Sequence, residues 1–299
     1  MDFRQTIQQF IDDELLPSTY LSSVQQWFIP LYHRLLKNVA AHQNNARTPL
    51  FVGINGAQGS GKSTLSSLLC RLFNAHSDYN ALCVSIDDFY HTRATRLNLS
   101  RSIHPLLVTR GVPGTHDTAL MQSTFENVFR GEACQIPVFD KSIDDRASET
   151  QWHSVSTKLD LIILEGWCVA SPAQKPEHLK KPVNTLEAEE DPDAKWRSYV
   201  NEKLANEYHS IFASIDHLIM LKAPSFAQIY KWRCEQEHKM QTKNKQAGLE
   251  PGGMSDAEIK RFIQHYQRIT EHGLKELPAL CQDVFILNEH RSIVECLQP

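Results

Sequence analysis

Gly56-Ala57-Gln58-Gly59-Ser60-Gly61-Lys62-Ser63-Thr64 decides the fold of this chain of 299 residues. Its first eight residues fit G-x-x-x-x-G-K-[ST] in full. The apolar run Leu50-Phe51-Val52-Gly53-Ile54 precedes it, as a buried strand does. Leu65, Leu68, Leu69, Leu72 and Phe73 follow at the spacing of a helix face. Strand, glycine loop and helix N-terminus together make an anion cradle. Backbone N–H groups and the positive helix end face phosphate oxygens, and the glycines permit close approach. Lys62 is placed to reach the β- and γ-phosphates, and the Ser63 hydroxyl to ligate Mg²⁺. Residues Gly56 to Thr64 are therefore expected to hold a nucleoside triphosphate. An ordinary glycine-rich turn would account for the loop but not for both flanks.

Further strands read outward from the loop at 81–86, 159–164, 215–221 and 284–287, with a short one at 135–139. Continuous apolar runs separated by helices indicate parallel strands buried on both faces. The expected fold is α/β, a three-layer P-loop NTPase with a mostly parallel sheet. Residues 1–48 form an N-terminal helical extension packed on the core. Phe3, Ile7, Phe10 and Ile11 share one helix face up to Pro17, and Tyr20, Val24, Trp27, Leu31 and Leu35 share a second. Neither polar face is rich in Lys or Arg, which argues against a membrane-surface helix. Residues 49–299 form the P-loop domain, with a helical lid over about 224–254. Pro172 to Pro192 reads as a surface excursion, and Thr242 to Gly253 as a polar, mobile turn.

A net charge of −4 excludes a nucleic-acid or membrane-surface partner on electrostatic grounds. The seven cysteines are scattered singly, without zinc spacing, and read as thiols of a reducing compartment. No apolar run approaches a membrane span. The expectation is a cytoplasmic monomer acting on a small molecule.

Parallel strands bring their C-terminal ends to one sheet edge, where ligands bind. Three ends carry chemistry: Gly56, Asp87-Asp88 after Ile86, and Glu165 after Leu164. An acid after four apolar strand residues suits Mg²⁺, held directly or through water. That residue is Glu165; the competing reading is a helix cap. A phosphotransferase acting on an alcohol must orient the hydroxyl and accept its proton. Asp87 is the candidate base, against the alternative of a simple Asx turn. Asp88 is left the choices of holding Mg²⁺ or orienting a neighbour.

Two polar loops follow. Arg110-Gly111-Val112-Pro113-Gly114-Thr115-His116-Asp117 has turn chemistry, and Asp117 suits the N-cap of a helix running to Phe129. Asp140-Lys141-Ser142-Ile143-Asp144-Asp145-Arg146 follows the short strand. Later, Trp232-Arg233 lies on a helix from which an arginine can close over a triphosphate and stabilise transferring charge; an exposed helix with ordinary charges is the alternative.

With Asp87-Asp88-Phe89-Tyr90, Leu164-Glu165-Gly166-Trp167 and the two loops in this order, the chain resembles the plant-type D-glycerate 3-kinases and their bacterial and fungal relatives. These stand within the uridine kinase, phosphoribulokinase and pantothenate kinase group. The likeness runs from about Pro49 to Arg291. One departure is that only Ile143 and Asp144 separate Lys141-Ser142 from Asp145-Arg146, where the family has a longer, glycine-containing loop. The resemblance implies ATP and Mg²⁺ as cofactors, and transfer of the γ-phosphate to the 3-hydroxyl of D-glycerate. Asp88, Tyr90, Arg110, His116, Lys141 and Arg146 then become substrate-binding candidates. The acceptor carboxylate needs a cation, for which Arg110, His116, Lys141 and Arg146 are available. A nucleoside kinase such as uridine kinase is the nearest rival. A P-loop GTPase is a third reading, since Thr157-Lys158-Leu159-Asp160 superficially fits [NT]-K-x-D, although before the Glu165 strand rather than after a later one.

Overall fold

The computed structural model describes residues 2–46, 48–156, 158–246 and 252–298, with the backbone alone at 243 and 244. Its centre is a six-stranded sheet of β1 (Leu50–Gly56), β2 (Ala81–Ser85), β3 (Leu161–Gly166), β4 (His217–Lys222), β5 (Asp283–Leu287) and β6 (Ile293–Leu297). The order across the sheet is β6-β5-β4-β1-β3-β2. All neighbours are parallel except β6, which returns antiparallel beside β5. Strands β1 and β3 are buried along their whole length, which is why they read as unbroken apolar runs. The mostly parallel α/β architecture holds. The sequence reading missed β6, whose half-exposed residues give it no such run.

Residues 135–139 do not form one strand, and they stand apart from the main sheet. Cys134–Ile136 pairs with His153–Val155, and Phe139–Asp140 with Asp145–Arg146, as two small antiparallel ladders. Pro137 separates them, since proline has no N–H to continue a ladder. The four-residue turn of the second ladder closes with Asp144 in the left-handed region, φ 54°.

Helices cover both faces. Helix α1 (Phe3–Asp13) buries Ile7, Phe10 and Ile11. A helical tract from Tyr20 to Asn45 contains a π-turn at Val24–Phe28 before α2 (Ile29–Asn45). Phe28 meets Phe285 of β5 at 6.0 Å, and Tyr32 meets Phe73 at 5.0 Å. Each such fully buried side chain contributes about 1.5–3 kcal/mol. At the sheet edge opposite the glycine loop, Arg34 pairs with Asp283, which also accepts from His217 at 2.8 Å. Helix α3 (Lys62–His76) follows the loop, and α4 (Thr118–Arg130) is N-capped by Asp117, whose side chain accepts from Leu120 N–H.

Two polar stretches differ from their sequence reading. In 172–192, Glu187 and Asp191 are buried rather than solvated. Glu187 pairs with Arg268 at 2.6 Å and Asp191 with Arg197 at 2.9 Å. Buried charges persist only when paired and hydrogen-bonded. Arg268 comes from the distant helix Asp256–Glu276, and Arg197 from the helix that follows directly, Lys195–Lys203. Residues 242–246 are helical, completing α5 (Phe226–Gln246), which packs on α6 (Asp256–Glu276). Residues 247–251 of the supposed mobile turn and lid lie outside the described residues, as does Thr157. Asp160 precedes β3, at the end of that strand far from the glycine loop, so it cannot read a base bound there.

Candidate active site

The sheet register sets the site. Ile54, Glu165 and Ser85 lie in one row across β1, β3 and β2, so the chain leaves all three strands at the same edge. From β1 it enters the glycine loop, where Gly59 and Gly61 take φ of 79° and 92°. Side chains at those two positions would be strained, whereas glycine turns the N–H groups inward at no steric cost. The loop ends on the first turn of α3.

Ser63 Oγ donates to Glu165 Oε1 at 2.8 Å, and Lys62 Nζ lies 3.7 Å from Oε2. Glu165 is 5% exposed, and its Oε2 has no hydrogen-bond partner among the described residues. A buried carboxylate oxygen beside a serine hydroxyl is a hard-oxygen donor set, which suits Mg²⁺. Among the described residues no group of three or more acidic, His or Cys side chains surrounds it. That also fits Mg²⁺, which takes one or two protein ligands and keeps phosphate oxygens and water for the rest.

Asp87 and Asp88 sit on a short 3-10 turn, Ile86–Phe89, beyond β2. They are not equivalent. Asp87 accepts from Tyr90 Oη at 2.8 Å and from Lys141 Nζ at 2.8 Å. Burial alone would raise its pKa, but the charges of Lys141 and Lys62 and these hydrogen bonds outweigh it and hold the carboxyl below its usual range. Asp88 accepts from the Phe139 N–H at 3.3 Å, tying the hairpin to the strand end. Burial raises its pKa, helped by the neighbouring Asp87 charge. Asp87 is thus the ionised acid facing the phosphate lysine. Its two oxygens carry lone pairs beyond those two bonds.

The loop 110–117 is laced to the same segment: His91 N–H donates to Thr115 O at 2.9 Å, and Asp117 N–H to Phe89 O at 2.7 Å. His116 stacks on Tyr90 at 4.4 Å. The candidate role of His116 as the cation is corrected here. Burial drives its pKa down to about 3, against the pull of Asp87, so the ring is neutral. Its tautomer follows from Tyr208. That hydroxyl already accepts from Gly114 N–H at 3.0 Å and lies 2.6 Å from His116 Nδ1, and on this network its own proton is assigned to Nδ1. The ring proton is then on Nε2, a buried donor with no partner among the described residues.

Arg110 is engaged by Asp144 and lies over the Phe139 ring at 5.5 Å. Arg146 Nη2 donates to Tyr90 O at 3.0 Å and Asp117 Oδ2 at 3.1 Å, while its Nε has no partner among the described residues. The two loops therefore do converge on Asp87. Arg233 stands differently. It pairs with Glu237 at 2.6 Å, over Phe262, facing α6 rather than the phosphate loop. Trp232 beside it is fully buried under Gly59.

Some participants were not singled out in the sequence. Tyr266 Oη donates to Arg110 O at 3.1 Å, and Trp167 Nε1 to Gly111 O at 2.9 Å, so β3 and α6 position the first loop. Arg291, after β5, donates from Nε to Gly59 O at 3.1 Å and pairs with Glu235 at 2.7 Å. Tyr208, Tyr266 and Arg291 are lone residues in ordinary helix or turn sequence, and nothing local marks them.

A cradle for phosphates, joined on one edge to an ionised carboxylate and a Ser–Glu pair, is the working edge of a P-loop kinase. Similarity to known proteins narrows the class. The chain is 33% identical over 248 residues to an uncharacterized kinase of Schizosaccharomyces pombe, covering 78% of this chain and 84% of that protein. It is 29% identical over 255 residues to the chloroplastic D-glycerate 3-kinase of Arabidopsis thaliana, covering 80% of this chain but only 52% of that enzyme. A D-glycerate 3-kinase structure from Cryptococcus neoformans superposes with a TM-score of 0.75 at 27% identity, covering 93% of this chain and 99% of the other. No protein-family model matches. The chain belongs to the plant-type D-glycerate 3-kinase family and its fungal kinase relatives. Among the described residues no helix is long and apolar enough to cross a membrane.

Proposed function

We propose that this chain transfers the γ-phosphoryl group of ATP to the 3-hydroxyl of D-glycerate, giving 3-phosphoglycerate and ADP. The observation that carries the reading is the placement of ionised Asp87 on the same edge as the glycine loop, ringed by Lys141, Tyr90 and neutral His116. Loop N–H groups and Lys62 hold the phosphates. Ser63 and Glu165 would hold Mg²⁺, which would supply neutralisation of the phosphate charge there. Asp87 accepts the hydrogen bond of the acceptor hydroxyl, orients it in line, and takes its proton as the new P–O bond forms. His116 donates from Nε2 without adding charge. Lys141 and Arg146 are the cations for the acceptor carboxylate: each is paired once, with Asp87 and Asp117, but Lys141 Nζ keeps further N–H donors and Arg146 Nε has no partner among the described residues. Arg233 exchanges Glu237 for the transferring phosphoryl when α5 closes.

The two named D-glycerate 3-kinases support the acceptor, and the shortened 143–144 turn makes it the point to test. ADP release is measured with D-glycerate, L-glycerate, uridine, pantothenate and ribulose 5-phosphate, with product analysis of each active mixture. D-Glycerate should be the substrate and 3-phosphoglycerate the product. Turnover of another compound with none of D-glycerate would overturn the acceptor and leave the kinase standing.

A further inference from the structure

Strands β3 and β2, with Glu165 and Asp87 at their ends, lie on one side of the glycine loop; β4 and β5 lie on the other. On that second side a cavity of about 570 Å³ opens against Gly59–Gly61 and Thr64 and the ends of β4 and β5 at Leu221 and Leu287. Leu15, Tyr20, Ser23 and Phe28, all from the N-terminal extension, line it as well, together with Lys239 and Arg291. With the nucleoside of a P-loop kinase lying on this side of the loop, we propose that residues 15–28 form part of the wall against it, so that the extension takes part in binding ATP. The inference rests on ATP as the phosphoryl donor.

Three observations carry it. A triphosphate lying along the loop with its γ-phosphate toward Glu165 and Asp87 has its nucleoside end on the β4–β5 side. The volume is in the range of small-molecule sites. The extension's share of the lining is largely apolar, Thr19 and Ser23 apart, while Gln236, Lys239, His290 and Arg291 supply polar groups, a mixture that suits a base and ribose. Finally, two non-glycine residues with positive φ line it: Leu15 (φ 51°) and Arg291 (φ 66°). Arg291 is fastened to the glycine loop and lies over the Trp232 ring at 5.2 Å. Leu15 lines the cavity and is yet 86% exposed, a large apolar side chain with most of its surface uncovered. Strained, uncovered residues of this kind gather where ligands bind. Phe28, at the end of the π-turn, links this wall to β5 through Phe285.

The test compares binding of ATP with that of inorganic tripolyphosphate, each with Mg²⁺, by the intact chain and its variants. Leu15→Asn removes the apolar cover but keeps a residue that tolerates the left-handed backbone. Ser23→Trp fills the cavity from the same wall. Leu15→Asn should weaken ATP about fivefold and Ser23→Trp about tenfold or more, with tripolyphosphate affinity and acceptor KM unchanged. Lys62→Ala should weaken both ligands. If Leu15→Asn binds ATP within about twofold of the parent, and so does any Ser23→Trp protein that folds, the nucleoside lies elsewhere and the proposal is overturned. Should Ser23→Trp not fold, Leu15→Asn decides alone. A parent chain that binds tripolyphosphate but gains nothing from the nucleoside overturns the proposal too. One that binds neither overturns the ATP reading beneath it.

Discussion

The two sides of the proposed reaction centre are built in opposite ways. The phosphate side is main chain: nine consecutive residues after one strand, their N–H groups turned inward by Gly59 and Gly61. The acceptor side is side chain: Asp87 and Tyr90, His116, Lys141 and Arg146 come from three segments, held in place by Tyr208, Tyr266 and Trp167 from three more. A main-chain cradle depends on few side chains and can serve any acceptor. A side-chain pocket depends on every distant support, so it is where related kinases can diverge in substrate.

The largest effect should fall on the cradle's one indispensable side chain. Lys62→Ala should abolish turnover while circular dichroism and thermal melting stay close to the parent; near-normal phosphotransfer from a folded sample breaks the phosphate assignment. On the acceptor side, Asp87→Asn should cost kcat about 10²–10⁴-fold, the range of a positioned general base, with ATP affinity little changed. Asp88→Asn should cost less at the chemical step, since Asp88 is spent on the Phe139 N–H. A reversed order would exchange the two roles.

The pH profile sharpens the contrast further. Asp87 is held below the usual carboxylate range, so it stays ionised as the medium is acidified and is lost only as pH falls through that depressed value. Its acidic limb in kcat/KM should therefore lie below about pH 4. Lys141→Met removes a principal cause of the depression, and the limb should move to higher pH; a limb that stays put separates Lys141 from Asp87. Smallest is Arg233→Ala, expected to lower kcat about tenfold with ATP binding nearly unaffected, because its contact with the phosphoryl group is proposed to form only on closure. An unchanged kcat would leave Arg233 as the partner of Glu237 alone.

The same division decides how much could be read from the sequence. Strand, glycine loop and helix are contiguous, so the cradle and the parallel sheet were legible in residues 50–73. So was the meeting of Asp87 and Glu165, because parallel topology puts strand ends together. Charge state was not. His116 looked like a cation because its burial and its bond to Tyr208, 92 positions away, have no local signature. Glu187 looked like solvated surface for the same reason, its partner Arg268 lying 81 positions away, and Asp191 did so because its burial leaves no local mark, although Arg197 is only six residues on. Arg110 could not be seen to be spent on Asp144, since that pairing is made by a turn 34 residues further on.

The tract that carries Tyr208 passes through a π-turn, Leu204–Tyr208, between the helical segments Lys195–Lys203 and His209–Phe212. A π-turn holds one residue more than the α-helix around it, so the extra residue is taken up within the turn and the segments on either side keep the phase of one continuous helix. Deleting one residue of the turn ahead of Tyr208, such as Asn206, would remove that extra residue and let the tract close as α-helix with Tyr208 and the later segment still in phase with the earlier one. The same deletion in an unbulged helix would rotate everything after it by about 100°. In this part of the molecule the residue count has one unit of slack that the composition does not reveal.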